Sequence, residues 1–301
     1  MRQTPWSSSN CPAIGWSNWE AKSKFNKLRR VDHVSSQNRL NLFVSTNTNK
    51  KELRLEDRMS VMALLSADSC ADLREMWQSV DFDRLGITFD DGINPASASG
   101  SLLFSGIAFT YALQSCPAPA ATHHIFCNAD LSDIQSAVHI DLDPAVASGR
   151  IIPAIVQAML ELGDVLGCNL GIKAVFWSPA AVVSGYDYYA EAVPQYAQGA
   201  GFPALLCVGF DMSTTGVVET NGLGWLCDQE LTFTHAQLPA HEAMRYVVRL
   251  VHDLATHGAY DRALELPGLH ADEVVVVTPG PDQGTLNARL VTGKEAINSA
   301  Q

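Results

Sequence analysis

Closely spaced cysteine pairs, the usual mark of a zinc ribbon or a redox switch, are missing from this sequence. Its seven cysteines, at 11, 70, 116, 127, 168, 207 and 227, form no CxxC pair and lie far apart, which removes the paired thiolates those motifs need. Also missing is an uncharged apolar run of about 18 residues, the length a membrane-spanning helix requires. LLFSGIAFTYAL at 102–113 is apolar but too short. The opening MRQTPWSSSN holds no apolar stretch of the signal-peptide kind, so the sequence predicts a cytoplasmic protein with reduced cysteines and no membrane partner. Cys168, Cys207 and Cys227 have apolar neighbours in sequence, where a thiol acts as a small hydrophobe.

Positive charge is scarce. Lys and Arg total 20 against 32 Asp and Glu, a formal charge of -12, so the average surface repels nucleic acid and anionic lipid. The exception is KSKFNKLRR at 22–30, which suits either an anionic partner or a solvated polar segment.

What is present is a large apolar fraction, 47% of 301 residues, enough for a substantial core. Residues 1–50 are rich in Ser, Asn and charge and read as a polar, loosely ordered arm, with Trp6, Trp16 and Trp19 as means of docking it. Residues 51–301 read as a compact α+β domain. MSVMALLS at 59–66 is a buried strand, and Leu73, Met76, Trp77 and Val80 recur at helical spacing. A helix is predicted over 148–167, with Ser148 as N-cap and Pro153 in its first turn. A second is predicted over 239–258, ended by Gly258, with Ala243, Met244, Val247, Val248, Val251 and Leu254 inward and Arg245, Arg249 and Thr256 outward. YDYYAEAVPQYA at 186–197 is a third helix, interrupted by Pro194. Strands fall at 171–177, 202–211, 229–235 and 272–280. The alternation predicts a mixed β-sheet with long amphipathic helices packed mainly on one face. Two strand–helix–strand units make 51–178 and 179–301 candidates for related halves.

The densest polar stretch is ATHHIFCNADLSDIQSAVHIDLD at 121–143. Period-two alternation predicts a strand with Val138, Ile140 and Leu142 in the core and His139, Asp141 and Asp143 on the other face. NADLSD is expected to join this strand to an adjacent or near-adjacent one at HHIFCN. The outward row admits a divalent metal, but it equally describes a solvated face, and neither the CxxC nor the HExxH spacing is present. HEAMR at 241–245 carries Arg245 where a second histidine would stand. His241 and His252 share an azimuth, but about 16 Å of helical rise separates them. Asp253 and His257, four apart, make either an oriented base or a helix-terminal ion pair. NGLGW at 221–225 lacks the spacing of a GxGxxG or phosphate-binding loop, so Gly222 and Gly224 read as turn residues. Trp177, Tyr186, Tyr188, Tyr189 and Trp225 form an aromatic set suited to a binding recess or to the core.

AVFWSPAAVVSGYDYYAEA at 174–192, FPALLCVGFD, and NGLGWLCDQELTFTHAQLPAHEAMRYVVRLVHDLATHG at 221–258 resemble, in order and character, the uncharacterised bacterial DUF4261 family. Trp177, Gly222, Gly224 and Glu230 carry the resemblance, which is clearest over 174–258. Where that family has a phenylalanine before its Glu-Leu pair, this chain has Trp225, with four residues intervening. The resemblance implies a compact bacterial α+β body and no particular reaction.

Two functions follow from these features. One is a non-enzymatic cytoplasmic protein-binding or immunity-like factor, without a cofactor, that engages another protein through acidic groups and exposed aromatics. The other is a divalent-metal-assisted hydrolase built on His139, Asp141 and Asp143.

Overall fold

The computed structural model describes residues 60–89, 97–116, 119–121, 123–214, 216–235 and 238–292. The polar arm of 1–50 lies outside them, and the described residues belong to the compact unit that starts at Met59.

The run MALLS becomes β1 (Met62–Ser66), buried along its whole length. A strand with no polar side chain before its last residue must be covered on both faces, and β1 is. Met62 and Leu64 enter the main core, while Ala63 and Leu65 enter a smaller cluster on the opposite face. The chain then forms α1 (Cys70–Ser79), whose N-cap Ser69 accepts from Asp72 N–H and so satisfies a backbone donor the helix leaves free. Its Trp77 stacks on Tyr111 with centroids 4.7 Å apart. Next come β2 (Ile87–Phe89), β3 (Ser99–Phe104) and β4 (Ile107–Ser115). The β3–β4 hairpin turns on Ser105 and Gly106, both at positive φ, the two-residue geometry that matches strand twist.

The 121–143 stretch yields two strands, but not neighbours. β5 (His123–Ile125) pairs in parallel with β8 (Val182–Gly185), whereas β6 (Ser136–Leu142) lies inside the sheet between β4 and β1. β7 (Ala174–Trp177) pairs with both β1 and β8. The strand order is β2-β3-β4-β6-β1-β7-β8-β5, so three strands separate the two histidine-bearing ones. The reason lies in the connection. Cys127, Leu131 and Ile134 pack on Ala63, Leu65, Phe176 and Val183, so 126–135 spreads across the sheet face instead of turning as a hairpin.

Helix α2 (Pro153–Leu170) starts five residues later than the sequence suggests and ends at Gly171 in the left-handed region. Ser148 lies instead in a short 3₁₀ segment, Ala147–Ile151. Pro153 is the first residue of the α-helix because its fixed φ and missing N–H suit that position. α3 (Tyr186–Ala197) follows β8 directly. FPALLCVGFD is not one strand but a helical turn, α4 (Ala204–Cys207), followed by β9 (Gly209–Met212). Pro203 caps that turn and Ala204, Leu206 and Cys207 are buried by it.

The second sheet contains β9, β10 (Val217–Asn221), β11 (Glu230–Thr234), β12 (Leu264–Pro267), β13 (Glu273–Pro279) and β14 (Thr285–Thr292), in the order β12-β13-β14-β11-β10-β9. α5 (Leu223–Cys227) links β10 to β11, and α6 (Ala240–His257) follows β11. α6 buries Ala243, Val247, Val251 and Leu254 as its spacing predicts, together with Tyr246, Leu250 and Ala255. Met244 and Val248 are half-buried, and Arg245, Arg249 and Thr256 face solvent. The fold is therefore mixed α+β with its long helices against sheet, and it carries two sheets. The first sheet runs past residue 178 to Gly185, so the passage between sheets falls in α3 and α4. One continuous core joins both sheets.

Candidate functional site

β6 alternates as VHIDLD requires: Val138, Ile140 and Leu142 are buried, and His139 and Asp141 are on the opposite face, half-buried. The polar row does not converge on a common point. His139 Nδ1 pairs with Ser60 Oγ at 2.8 Å, and burial pushes its pKa below the usual histidine range, which favours the neutral ring. Asp141 accepts from Leu142 N–H and Asp143 from Ala145 N–H, both at 2.9 Å. These are local turns of side chain onto backbone. Among the described residues no group of three or more His, Cys, Asp or Glu is placed to hold a metal ion, which weighs against the hydrolase reading.

The other polar candidates also have local partners. His252 Nδ1 accepts from Phe202 N–H at 2.8 Å. His257 Nδ1 lies 3.1 Å from the Asp253 carbonyl and 3.9 Å from its carboxylate, at the exposed end of α6. Cys207 and Cys227 are buried, and burial pushes both thiols up, Cys227 to about 11; Cys168 instead lies at an exposed position and is disulfide-bonded, against the expectation of reduced cysteines.

The residues of the family resemblance meet at the junction of the sheets. Trp177, 1% exposed, meets Trp225 edge-on at 5.2 Å and 89°. Glu230 accepts from Gly222 N–H and Gly224 N–H at 2.8 Å each, and from the Thr220 hydroxyl at 2.7 Å. Gly222 sits at φ 86, and a Cβ there would come 2.6 Å from that of Ala180, so the site needs glycine both for conformation and for space. Arg150 donates to the carbonyls of Gly224 and Trp225 and pairs with Asp228. The cluster locks α5 onto the first sheet: Glu230 and Arg150 turn their polar atoms onto α5 and its flanking turns, while Trp177 Nε1 is buried without a hydrogen bond.

Two of the tyrosines belong to the α2–α3 contact. Tyr189, 1% exposed, donates to the Leu160 carbonyl at 2.8 Å, and Tyr186 donates to that of Asp164 at 2.8 Å. Burial pushes the Asp164 carboxyl up to about 6; the Tyr186 hydroxyl beside it acts the other way, and Glu161 adds to the rise. Of the aromatic set, Trp177 and Tyr189 are thus core residues, because their faces are filled by α5 and α2. Tyr188 is different.

Tyr188 faces Phe126, with ring centroids 4.8 Å apart and planes at 53°. Phe126 is 67% exposed and has φ 45, in the left-handed region that a phenylalanine rarely occupies. Its backbone crosses directly over Gly185, where a Cβ would run into the Phe126 carbonyl. That crossing turns the Phe126 side chain away from the core. Acidic groups flank the pair. Asp187 and Glu191 are exposed on α3, and the Glu191 charge adds to burial in pushing the Tyr188 phenol above its usual range.

Beside this edge the two sheets touch. His123 of β5 packs on Gly209 of β9, and its Nε2, buried and without a hydrogen bond, lies 3.8 Å from Asp211 Oδ1. Asp211 is directly opposite Glu219 of β10, and both are exposed. Phe126, Asp211 and Glu219 did not stand out in the sequence. Phe126 carries no positional signal for its positive φ, and the two carboxylates become a pair only through strand register.

Scanned against family models, curated proteins and solved structures, the chain matches none. The resemblance of 174–258 to DUF4261 therefore rests on Trp177, Gly222, Gly224 and Glu230.

Proposed function

We propose that this protein is a cytoplasmic, protein-binding factor of the immunity-like kind, and that it holds its partner at the Phe126–Tyr188 edge. The observation that carries the reading is Phe126 itself, a large apolar ring 67% exposed on a left-handed backbone. Such a conformation costs on the order of 1 kcal/mol or more, and burying the ring inside the fold does not offset it. An aromatic anchor that fills a partner's pocket gives that cost a return, since aromatic side chains dominate the energetics of protein interfaces. Asp187 and Glu191 supply a polar rim. The described residues include no helix long and apolar enough to cross a membrane.

The test uses the protein purified natively from its source with whatever copurifies. Phe126→Ala is expected to melt near the wild-type temperature and Tyr188→Ala below it, since Tyr188 also packs on the core, and both are expected to lose the copurifying partner. A partner retained at wild-type yield by both variants rules the edge out.

A further inference from the structure

We infer that the partner contributes a basic, extended segment that adds as a new strand to the open edge of β9. This inference rests on the protein-binding reading above and assigns its chemistry. Among the described residues β9 is the last strand of its sheet, paired only with β10. Ser213 N–H donates to the Val217 carbonyl at 2.8 Å, which fixes the phase of the antiparallel ladder: 213 with 217, and 211 with 219, are the hydrogen-bonded pairs. The N–H and C=O groups of Phe210 and Met212 therefore point away from β10. Met212 is 41% exposed, and no hydrogen bond of the described residues ends on either backbone. An edge in this state is a template for another strand.

The charge on the edge selects which strand. Asp211 and Glu219 are like charges in directly opposed ladder positions, an arrangement that destabilises a sheet. On the same face the nearest ladder base, Arg289 of β14, is two strands further in than Glu219. A second copy of this chain would bring its own carboxylates to the edge and be repelled. A strand with Lys or Arg at alternate positions relieves the repulsion while its backbone satisfies the outward groups. Charge complementarity of this kind sets partner choice and association rate.

The probe is a fluorescent synthetic decapeptide of alternating Lys and Val, titrated against the full chain by anisotropy, with an alternating Glu-Val peptide as comparison. Saturable binding of the Lys-Val peptide alone is expected. Its Kd should rise about tenfold or more in the Asp211→Lys, Glu219→Lys double variant. N-methylation of alternate peptide nitrogens keeps the charge but removes strand donors, and should abolish binding. Equal binding by the methylated peptide overturns strand addition, as does a double variant that binds normally. Failure of the Lys-Val peptide to bind, with a copurified partner still dependent on Phe126, overturns this inference and leaves the protein-binding reading standing. A copurified partner indifferent to Phe126 removes that reading instead.

Discussion

The ring of Tyr186 occupies the space that a side chain on Gly167 would need: a Cβ built there falls inside contact distance of three ring carbons. One turn earlier on α2, Gly163 leaves the same opening for the Tyr189 hydroxyl, 2.5 Å from the position of its absent Cβ.

Alanine at either glycine should therefore act against the helix-propensity rule. In an exposed helix interior Gly→Ala gains about 1 kcal/mol. Here Gly167→Ala is expected to cost about 1–3 kcal/mol, because a buried ring must move. Urea unfolding decides the sign, and a more stable Gly167→Ala protein means α2 and α3 are not packed this closely.

Asp164 gives a pH-dependent test. Burial pushes its carboxyl up to about 6 in the folded protein, against 3.8 for an ordinary aspartate. Between those values the folded state holds the extra proton, so this group favours folding as pH falls through about 6, and the gain is complete below 3.8. Above about 6 the carboxylate is charged in both states, and its burial disfavours folding. Asp164→Asn should raise the melting temperature at about pH 8, with the gain fading toward about pH 4. A gain that instead grows with acidity contradicts the assigned direction.

The two faces of β6 are separated by adjacent substitutions. Ile140→Asp places an unpaired charge in the core and should cost about 3 kcal/mol or more. Asp141→Asn keeps the oxygen that accepts from Leu142 N–H and should cost about 1 kcal/mol or less. Denaturant midpoints measure both, and equal losses would reject the orientation.

Glu230 is expected to behave as a structural carboxylate. Glu230→Ala strands the Gly222 and Gly224 donors and should cost about 2–4 kcal/mol, while Glu230→Gln keeps one acceptor and costs less. Gly222→Ala meets both a positive φ and Ala180, so it should resemble Glu230→Ala. Calorimetric melting of the three variants gives the ranking.

Periodicity made much of this fold legible. The inward face of α6 and the alternation of β6 were readable because burial imposes 3.6-residue and two-residue repeats directly on side-chain character. Strand adjacency was not readable, since β5 and β6 follow one another in the chain and are parted by β1, β7 and β8 through long-range packing. The aromatic set was half legible. Composition shows that Tyr186, Tyr188 and Tyr189 are close in sequence, but only the glycine openings on α2 decide that Tyr186 and Tyr189 turn inward. The Asp211–Glu219 pair depends on register, which no local pattern specifies.

β11 and β14 lie side by side in parallel, although α6, β12 and β13 come between them in the chain. During synthesis β11 therefore leaves the ribosome before its neighbour exists, with the β14-facing edge of a strand bearing Leu231 and Phe233 unpaired. The second sheet is a late-closing structure, exposed to misassembly until β14 docks. β14 is also the strand that joins β12 and β13 to the rest of the sheet, so without it both β13 and β11 would present open edges.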